Sequence, residues 1–587
     1  MDLKTLNQSE PAALLTELGG LYEHSPWIVE GALAQRPFAS LAAFKRACFE
    51  VLARATPEAQ RALICAHPEL AGKAMVAQQL TAESTDEQSR AGLTHCSPEE
   101  FATLQRLNTA YGQRFGWPFI LAVRGPRGLG LSRSEIISTF ERRLDGHPDF
   151  EFQECLRQIH RIAELRLAEK FGEDLSAGEQ VWDWAEQLAV HSEADDALTV
   201  TYMSPAHRAC ARKLAGWMQS CGFDEVQIDA LGNVVGRYFG SDPSAPLLMT
   251  GSHYDTVRNG GRYDGRLGIL VAMATVQGMK ALGHRPRHGL ELVAFAEEEA
   301  QRFPATFLAA SALVGRFEPQ WLAQQDAQSV TMAEALQAAG HGAQPSAQLD
   351  SIAALQRDPK QYLGFVEVHI EQGPVLDAAG LPLGVVSSIN GSHRYTGEIV
   401  GQASHAGTTP MGAGRRDAAA AAAELVLQVE RIATQLPEAV GTVGMLEVPG
   451  GSINVVPGRC RFSLDLRAPR DAVRDRLRDE VLHALDAICE RRGLHYSLRP
   501  TLSIDAAPSH PDWQARWEAA VQRLGLPVHR MPSGAGHDAM KMHEILPQAM
   551  LFVRGGNAGI SHNPLETVSA HDAQLAVEAF EILWNSL

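Results

Sequence analysis

Five residues of metal-ligand type, His253, Asp264, Glu299, His369 and His562, are spread over the last two thirds of the 587-residue chain. Two of them follow short apolar runs. Leu247-Leu248-Met249-Thr250 leads into Gly251-Ser252-His253, and Leu290-Glu291-Leu292-Val293-Ala294-Phe295 leads into Glu297-Glu298-Glu299. Ligands so far apart in sequence meet only in a fold that gathers strand ends at one edge, as α/β sheets do at their carboxyl ends. Asn233 to Tyr238 gives a third strand pattern, and the helical pattern of 267 to 281 supplies a crossover between the other two.

Residues 1–170 have a different character, rich in helical periodicity and poor in strand signals. Apolar positions recur at three and four in Phe38-Leu41-Phe44-Cys48-Leu52, again through Ile136-Ile137-Phe140, and in Leu156-Ile159-Ile162-Leu165. An all-α domain follows, with turns expected at Pro57, His67-Pro68 and Gly125-Pro126. Phe171-Gly172 closes its last helix, and Ser176 with Glu179 forms a capping-box pattern that opens the next segment. The linker is short, so the two parts are able to pack together. Residues 382–495 form an inserted α+β unit, with strands at 395–400 and 461–466 and helices over 415–435 and 470–491. The α/β domain is thus expected at 176–381 and 496–587, three units in all, as a chain longer than about 300 residues requires.

The formal net charge of −17 lacks the basic balance that a phosphate-backbone partner calls for, so no nucleic acid is expected. No apolar run approaches the ~20 residues of a membrane span, and Met1-Asp2-Leu3-Lys4 has no signal-peptide character. A cytoplasmic protein with no membrane partner is expected. The eight cysteines show no CxxC pair and no disulfide spacing, so they are expected as thiols.

A pair of divalent ions needs ligands from several loops, usually with one carboxylate bridging. Asp264 lies in Gly260-Gly261-Arg262-Tyr263-Asp264-Gly265, whose glycines allow a tight turn around such ions. The run Glu297-Glu298-Glu299, taken alone, suits a solvated acidic helix start as well as a cation site. Beside His253 and Asp264, three adjacent carboxylates point to cations, because they repel one another otherwise. His369-Ile370-Glu371-Gln372-Gly373 and Gly559-Ile560-Ser561-His562-Asn563-Pro564 supply the remaining imidazoles. Imidazole and carboxylate ligands suit Zn²⁺ and Mn²⁺ alike.

Through GSHYDTV, GGRYDG, EEEAQRF, HIEQG and GISHNP, residues 176–587 resemble the dinuclear-metal amidohydrolases, which include allantoate amidohydrolase, N-carbamoyl-L-amino acid hydrolase and β-ureidopropionase. The resemblance implies an aminopeptidase/carboxypeptidase-like catalytic domain with an inserted lid through which a homodimer forms. It implies that His253 and His369 hold one ion, that Glu299 and His562 hold the other, and that Asp264 bridges the two. Glu298 would be the general base, with Asp255 orienting His253 from behind. For the substrate it implies Arg467 as a carboxylate clamp, with Asn454, Gln372 and His537 in the pocket. His405 would stabilise the oxyanion in the other subunit's site. Ala300 stands where such relatives commonly have glycine.

In residues 1–170, His67-Pro68-Glu69-Leu70 is followed by Ser84-Thr85-Asp86-Glu87-Gln88 and by Phe115-Gly116-Trp117-Pro118-Phe119-Ile120. A histidine and a carboxylate in loops of a helical domain are consistent with general acid/base work without being diagnostic of it. These motifs resemble 2-oxo-4-hydroxy-4-carboxy-5-ureidoimidazoline (OHCU) decarboxylase. The resemblance implies His67 and Glu87 as the catalytic pair, and Pro68, Ser84, Gln88, Phe119 and Ile120 in the pocket motifs, with no cofactor. Trp117 replaces a phenylalanine of the usual motif.

Together the two resemblances imply a bifunctional enzyme of urate breakdown acting on small-molecule ureides, the hydrolase half taking allantoate. Hydrolysis of N-carbamoyl-L-amino acids or β-ureidopropionate is the alternative for the second half, and a non-catalytic binding or oligomerisation module is the alternative for the first. Neither half resembles an allantoinase, so direct channelling between them is not implied.

Overall fold

The computed structural model describes residues 1–38, 41–70, 96–123, 133–145, 148–172, 176–342, 344–412 and 414–587. They divide into two compact units, one of Met1–Gly384, Arg516–Val528 and Leu551–Leu587, the other of Val385–Ala515 and His529–Met550.

The first unit begins with helices, among them Leu41–Ala53, Pro57–Ala66, Pro98–Phe115, Arg133–Leu144 and Pro148–Phe171. Pro57 opens its helix instead of merely marking a turn, with the Thr56 side chain accepting from the Ala59 N–H. A fixed φ and a missing donor cost nothing at that first position. Gly125-Pro126 lies outside the described residues. Tyr111, Phe119, Ile136 and Phe140 form the centre of an apolar core. Within it Arg143 is fully engaged, its Nε at 3.0 Å and Nη2 at 2.5 Å from Glu151 Oε1. Tyr111 donates to the same carboxylate. A buried guanidinium survives only with such pairing, because an isolated buried charge costs several kcal/mol.

The helix Pro148–Phe171 stops at Gly172, which adopts φ +61°. The next, Ala177–Ala189, carries the expected box, in which the Glu179 N–H donates to Ser176 Oγ and the Ser176 N–H to Glu179 Oε2. Glu179 is also nearly inaccessible and meets Lys45 Nζ at 3.5 Å and Arg161 Nη1 at 3.3 Å. The capping residue of the linker helix therefore also docks the helical segment. Phe49 stacks on His571 with centroids 5.4 Å apart, and the Arg554 guanidinium lies 5.1 Å from the Phe49 ring. Arg157 Nη2 donates to Asn557 Oδ1 at 3.0 Å. The seam between the helical part and the α/β part is thus built from buried, paired charges and aromatic stacking.

The α/β part of this unit carries strands β1 (Glu225–Ile228), β2 (Val234–Tyr238), β3 (Leu247–His253), β4 (Leu290–Phe295) and β5 (Tyr362–Ile370), in the order β1-β2-β4-β3-β5. β3 runs parallel to both β4 and β5, while β2 is antiparallel to β4. The helix Arg266–Ala281, buried along most of its length, returns the chain from β3 to β4. β4 is buried at every position, as a strand covered on both faces must be.

The second unit is built on an antiparallel sheet. The strand Gly391–Val400 lies between Arg459–Ala468 and His495–Ile504. Arg459–Ala468 alternates buried and accessible residues, the pattern of a sheet covered on one face. The helices Ala418–Gln435 and Asp471–Arg492 close a core of Leu425, Phe462, Leu464, Leu477 and Val481. Among the described residues no helix is long and apolar enough to cross a membrane.

Two buried histidines tie the stability of the helical part to pH. Burial pushes His160 down to about 3 and His67 down to about 4. Both are neutral in the folded chain, whereas the unfolded chain protonates them below ~6.5. A depressed histidine therefore contributes full stability above its unfolded pKa, and that contribution falls as pH drops from 6.5 toward the folded value. Each group should remove about 2 kcal/mol between pH 7 and pH 5. Urea unfolding at the two pH values should show this loss, and His160→Gln should remove about half of the pH slope; an unchanged slope in that variant would refute the assignment.

Candidate active site

β4, β3 and β5 lie side by side, and their carboxyl ends bring three ligand groups to one edge. His253 is the last residue of β3, Glu297, Glu298 and Glu299 follow β4, and His369 is the penultimate residue of β5. Asp264 arrives from the loop ahead of the helix Arg266–Ala281. Gly265 in that loop has φ +67°, and a Cβ there would lie 2.5 Å from the His253 ring. No other residue allows this approach.

Asp264 stands at the centre of the cluster. Its Oδ1 is 3.7 Å from His253 Nε2 and 3.4 Å from His369 Nε2, and its Oδ2 is 3.1 Å from His562 Nε2. His562 Nε2 lies 3.4 Å from Glu299 Oε1. Within the first unit three groups follow, His253 with Asp264 and His369, Asp264 with Glu299 and His562, and His253 with Glu298 and Glu299. Both Asp264 oxygens are buried and make no hydrogen bond of normal geometry. Ligand atoms about 2.1 Å from a shared ion lie ~3.0–3.5 Å apart, so the spacing and the orphaned oxygens fit a pair of divalent ions bridged by Asp264.

The electrostatics agree. Burial, then the neighbouring Glu298 and Asp264 carboxylates, push Glu299 up to about 9. Burial holds His369 down to about 4, leaving the neutral imidazole that a metal requires. His562, half-exposed, is raised to about 9, chiefly by the Asp264 carboxylate 3.1 Å from its Nε2. Crowded acids and bases of this kind are relieved when cations replace the missing protons.

Asp255 underpins the cluster from behind. Its Oδ1 lies 3.3 Å from His253 Nδ1, and its carboxylate accepts the N–H groups of Glu298 at 3.2 Å and Glu299 at 3.1 Å. Gln372 Nε2 reaches Ser561 Oγ and His562 Nε2, both at 3.3 Å. The sequence reading missed Glu566. This buried carboxylate accepts the N–H groups of Tyr263 and Asp264, each at 2.9 Å, and the Ser561 hydroxyl at 2.6 Å. Its sole sequence signal is an acid two residues after Pro564 of the last motif.

In the second unit, Ser404–His405 pairs with Val455–Val456, and Asn454 O accepts from the Ala406 N–H at 2.9 Å, so His405 and Asn454 are neighbours. His405 is exposed, and its Nδ1 accepts from Gly407 and Thr408, which places the ring proton on Nε2. Arg467 is already engaged, with Nε and Nη2 on Asp465 at 2.9 and 2.7 Å and Nη1 on Gly534 O at 2.7 Å. His537 is buried, with Nε2 2.8 Å from Ser533 Oγ.

In the helical part, His67 follows the helix Pro57–Ala66. Its Nδ1 is 3.0 Å from Leu63 O, so Nδ1 carries the proton and Nε2 is the basic nitrogen. Pro68 beside it is half-buried. Phe119 and Ile120 are core side chains: Phe119 stacks on Phe140 at 3.9 Å, and Ile120 O accepts from Arg143 Nη1 at 2.7 Å. Glu87, Ser84 and Gln88 lie outside the described residues.

Left-handed backbone occurs beside the ligand cluster at Ala300 (φ +53°), Gln372 (φ +58°) and His562 (φ +53°). Ala300 is the position where the resemblance leads to an expected glycine. An alanine there carries about 1 kcal/mol of strain. Ala300→Gly should therefore leave stability unchanged or raise it by up to ~1 kcal/mol, whereas Ala300→Val should lower it by about 2 kcal/mol. Thermal unfolding of the two variants tests this, and an ordinary loss in Ala300→Gly would contradict the backbone assignment.

Residues 249–586 match the family model described as peptidase family M20/M25/M40, and residues 7–168 match the model described as OHCU decarboxylase. The chain is 35% identical to an N-carbamoyl-L-amino acid amidohydrolase of Geobacillus stearothermophilus, an alignment that spans 70% of this chain and 98% of that one. It is 33% identical to an allantoate amidohydrolase of Bacillus subtilis, again over 70% of this chain and 98% of the relative. Among solved structures, a hydantoinase/carbamoylase family amidase from Burkholderia multivorans superposes with a TM-score of 0.65 at 30% identity, covering 70% of this chain and 98% of that one. The chain therefore belongs to peptidase family M20/M25/M40, and it carries an OHCU decarboxylase domain ahead of that region.

Proposed function

We propose that the chain is a bifunctional enzyme of ureide breakdown. Residues 1–170 decarboxylate OHCU to S-allantoin without a cofactor. Residues 176–587 hydrolyse allantoate to ureidoglycine, CO₂ and ammonia, with ureidoglycolate following deamination. The observation that carries the hydrolytic half is the convergence of three imidazoles and Glu299 on the orphaned oxygens of Asp264. The choice of allantoate is supported by the fused decarboxylase domain, which makes its ring precursor, and by similarity to allantoate amidohydrolases. Similarity to an N-carbamoyl-L-amino acid amidohydrolase, 35% identical against 33% for the allantoate amidohydrolase, supports the competing substrate class.

His253, Asp264 and His369 would hold one ion, and Asp264, Glu299 and His562 the other, as Mn²⁺ or Zn²⁺. Bound there, the ions lower the pKa of the attacking water and polarise the scissile carbonyl. Glu298, fixed through its N–H by Asp255, takes the water's proton and returns it to the leaving nitrogen. His405 offers its Nε2–H to the developing oxyanion of a partner subunit. Arg467 binds the substrate carboxylate by exchanging Asp465 for it, and Asn454, Gln372 and His537 are the further substrate-binding residues. A homodimer through the inserted unit is supported by the exposed apolar side chains there, Met445 at 58% and Leu446 at 54%. In the helical domain His67 and Glu87 share orientation of the leaving carboxylate and delivery of one proton, with Pro68, Ser84 and Gln88 shaping the pocket and Phe119 and Ile120 backing it from the core. The protein acts on small molecules, in the cytoplasm, without nucleic acid or membrane.

Ammonia release by the Mn²⁺-loaded protein should be faster from allantoate than from N-carbamoyl-L-amino acids or β-ureidopropionate at equal concentration; the reverse order would move the hydrolase half to the competing substrate class. Glu298→Gln should lower kcat by about 10²–10⁴-fold with two metals still bound, and loss of metal instead would remove it from the role of base. His67→Ala should abolish allantoin formation from OHCU while leaving ammonia release intact, and unchanged decarboxylation would recast the helical domain as a binding module.

A further inference from the structure

Residues 554–566 carry His562 and the Glu566 carboxylate that accepts the Tyr263 and Asp264 N–H groups. This segment is strained. Asn557 (φ +54°), Ala558 (φ +56°) and His562 (φ +53°) adopt left-handed backbone, which residues with a Cβ occupy at a cost and which persists only where neighbours hold it. Whatever holds the segment therefore also holds His562.

Inside the α/β part, Ala558 donates its N–H to Asp377 Oδ2 at 3.0 Å and Gly556 donates its N–H to Thr567 O at 2.7 Å. Asn557 Nδ2 donates to Leu565 O at 2.5 Å, which closes the loop across its base with His562 between the two residues. The other end of that amide belongs to the helical domain. Arg157, on the helix Pro148–Phe171, donates from Nη2 to Asn557 Oδ1 at 3.0 Å, and its Nη1 lies 3.7 Å from Asp377 Oδ1. A Cβ on Gly556 would lie 2.5 Å from Arg157 Nε, so the guanidinium touches the loop backbone directly.

Arg157 is flanked by carboxylates from both parts, Glu154 Oε2 at 3.6 Å on its own helix and Asp377 Oδ1 at 3.7 Å, with all three side chains at most 17% exposed. Removing the guanidinium takes the cation from both acids and the donor from Asn557, which is itself buried. Little-exposed charges left without their partner are costly, so the loop would give up its strained conformation. We propose that Arg157 is a positioning residue of the hydrolytic centre, contributed by the decarboxylase domain: through Asn557 and Asp377 it fixes the loop that presents His562. The metal site is then completed by a helix from outside the α/β part, an inference that rests on the metal-centre reading above.

The test uses the full-length chain, with Mn²⁺ alone as the probe. Calorimetric titration of Arg157→Gln should show one of the two ions bound about 10-fold to 100-fold more weakly. Hydrogen exchange should quicken over residues 554–566 while the helix Arg266–Ala281 keeps its protection. Ammonia release should fall at limiting Mn²⁺ and return at saturating Mn²⁺, a recovery that general loss of structure would not give. Arg157→Lys, which keeps a cation at this place, should lie between Arg157→Gln and the unmodified chain. Unchanged affinity for both ions in Arg157→Gln, or a loss that saturating Mn²⁺ does not restore, would overturn the proposal. His562→Ala separates the two readings. If it loses one ion while Arg157→Gln binds both as tightly as the unmodified chain, the positioning role falls and the metal centre stands. If His562→Ala still binds two ions with unchanged affinity, the metal reading falls and takes the positioning role with it.

Discussion

The contact on which the α/β architecture turns is the approach of three imidazoles and a glutamate to one buried carboxylate, Asp264. The approach makes specific demands on the backbone. Gly265 must adopt positive φ so that the loop passes beside His253, Gln372 and His562 occupy left-handed conformations, and Glu566 must be buried to hold the loop's N–H groups. Strain of this kind persists only where the surrounding structure over-determines it, and here the parallel trio β4, β3 and β5 supplies that rigidity.

The helical domain meets the α/β part through charge more than through apolar surface. Glu179 caps a helix, pairs with Lys45 and Arg161, and so makes the domain boundary itself a buried ionic joint. Arg554 pairs with Asp572 and covers Phe49, and Arg157 bonds Asn557. Buried ion pairs add little net stability but penalise wrong arrangements strongly, since any slip leaves a charge unpaired. The joint therefore specifies one relative placement of helices and loops, and it leaves a cavity of about 360 Å³ between them.

Local signals were the legible ones. The strands at 234–238, 247–253 and 290–295, the helix that follows Asp264, the capping box at Ser176 and the closure at Gly172 all follow from periodicity, capping chemistry and glycine conformation, which act over a few residues. The metal-type residues were likewise visible, because strand ends, glycines and adjacent carboxylates form patterns in sequence. Glu566 was not visible, since a lone acid after Asn563-Pro564-Leu565 carries no pattern and acquires its partners only when the loop of Tyr263 packs against it. Arg467 looked available for a substrate, yet the fold presents Asp465 to it on the same strand.

By itself the sequence determined which residue types carry chemistry and in what local setting, because ligand identity, strand-end placement and helix caps are properties of short stretches of chain. The tertiary structure decided which of those groups meet: Asp264 as the shared carboxylate, Asp255 and Glu566 as its supports, Phe119 and Ile120 as core, and the cavity beside Glu154 and Tyr263. The physical reason is that distances between residues hundreds of positions apart, and the burial that shifts their proton affinities, are set by packing of whole elements and are written in no local pattern.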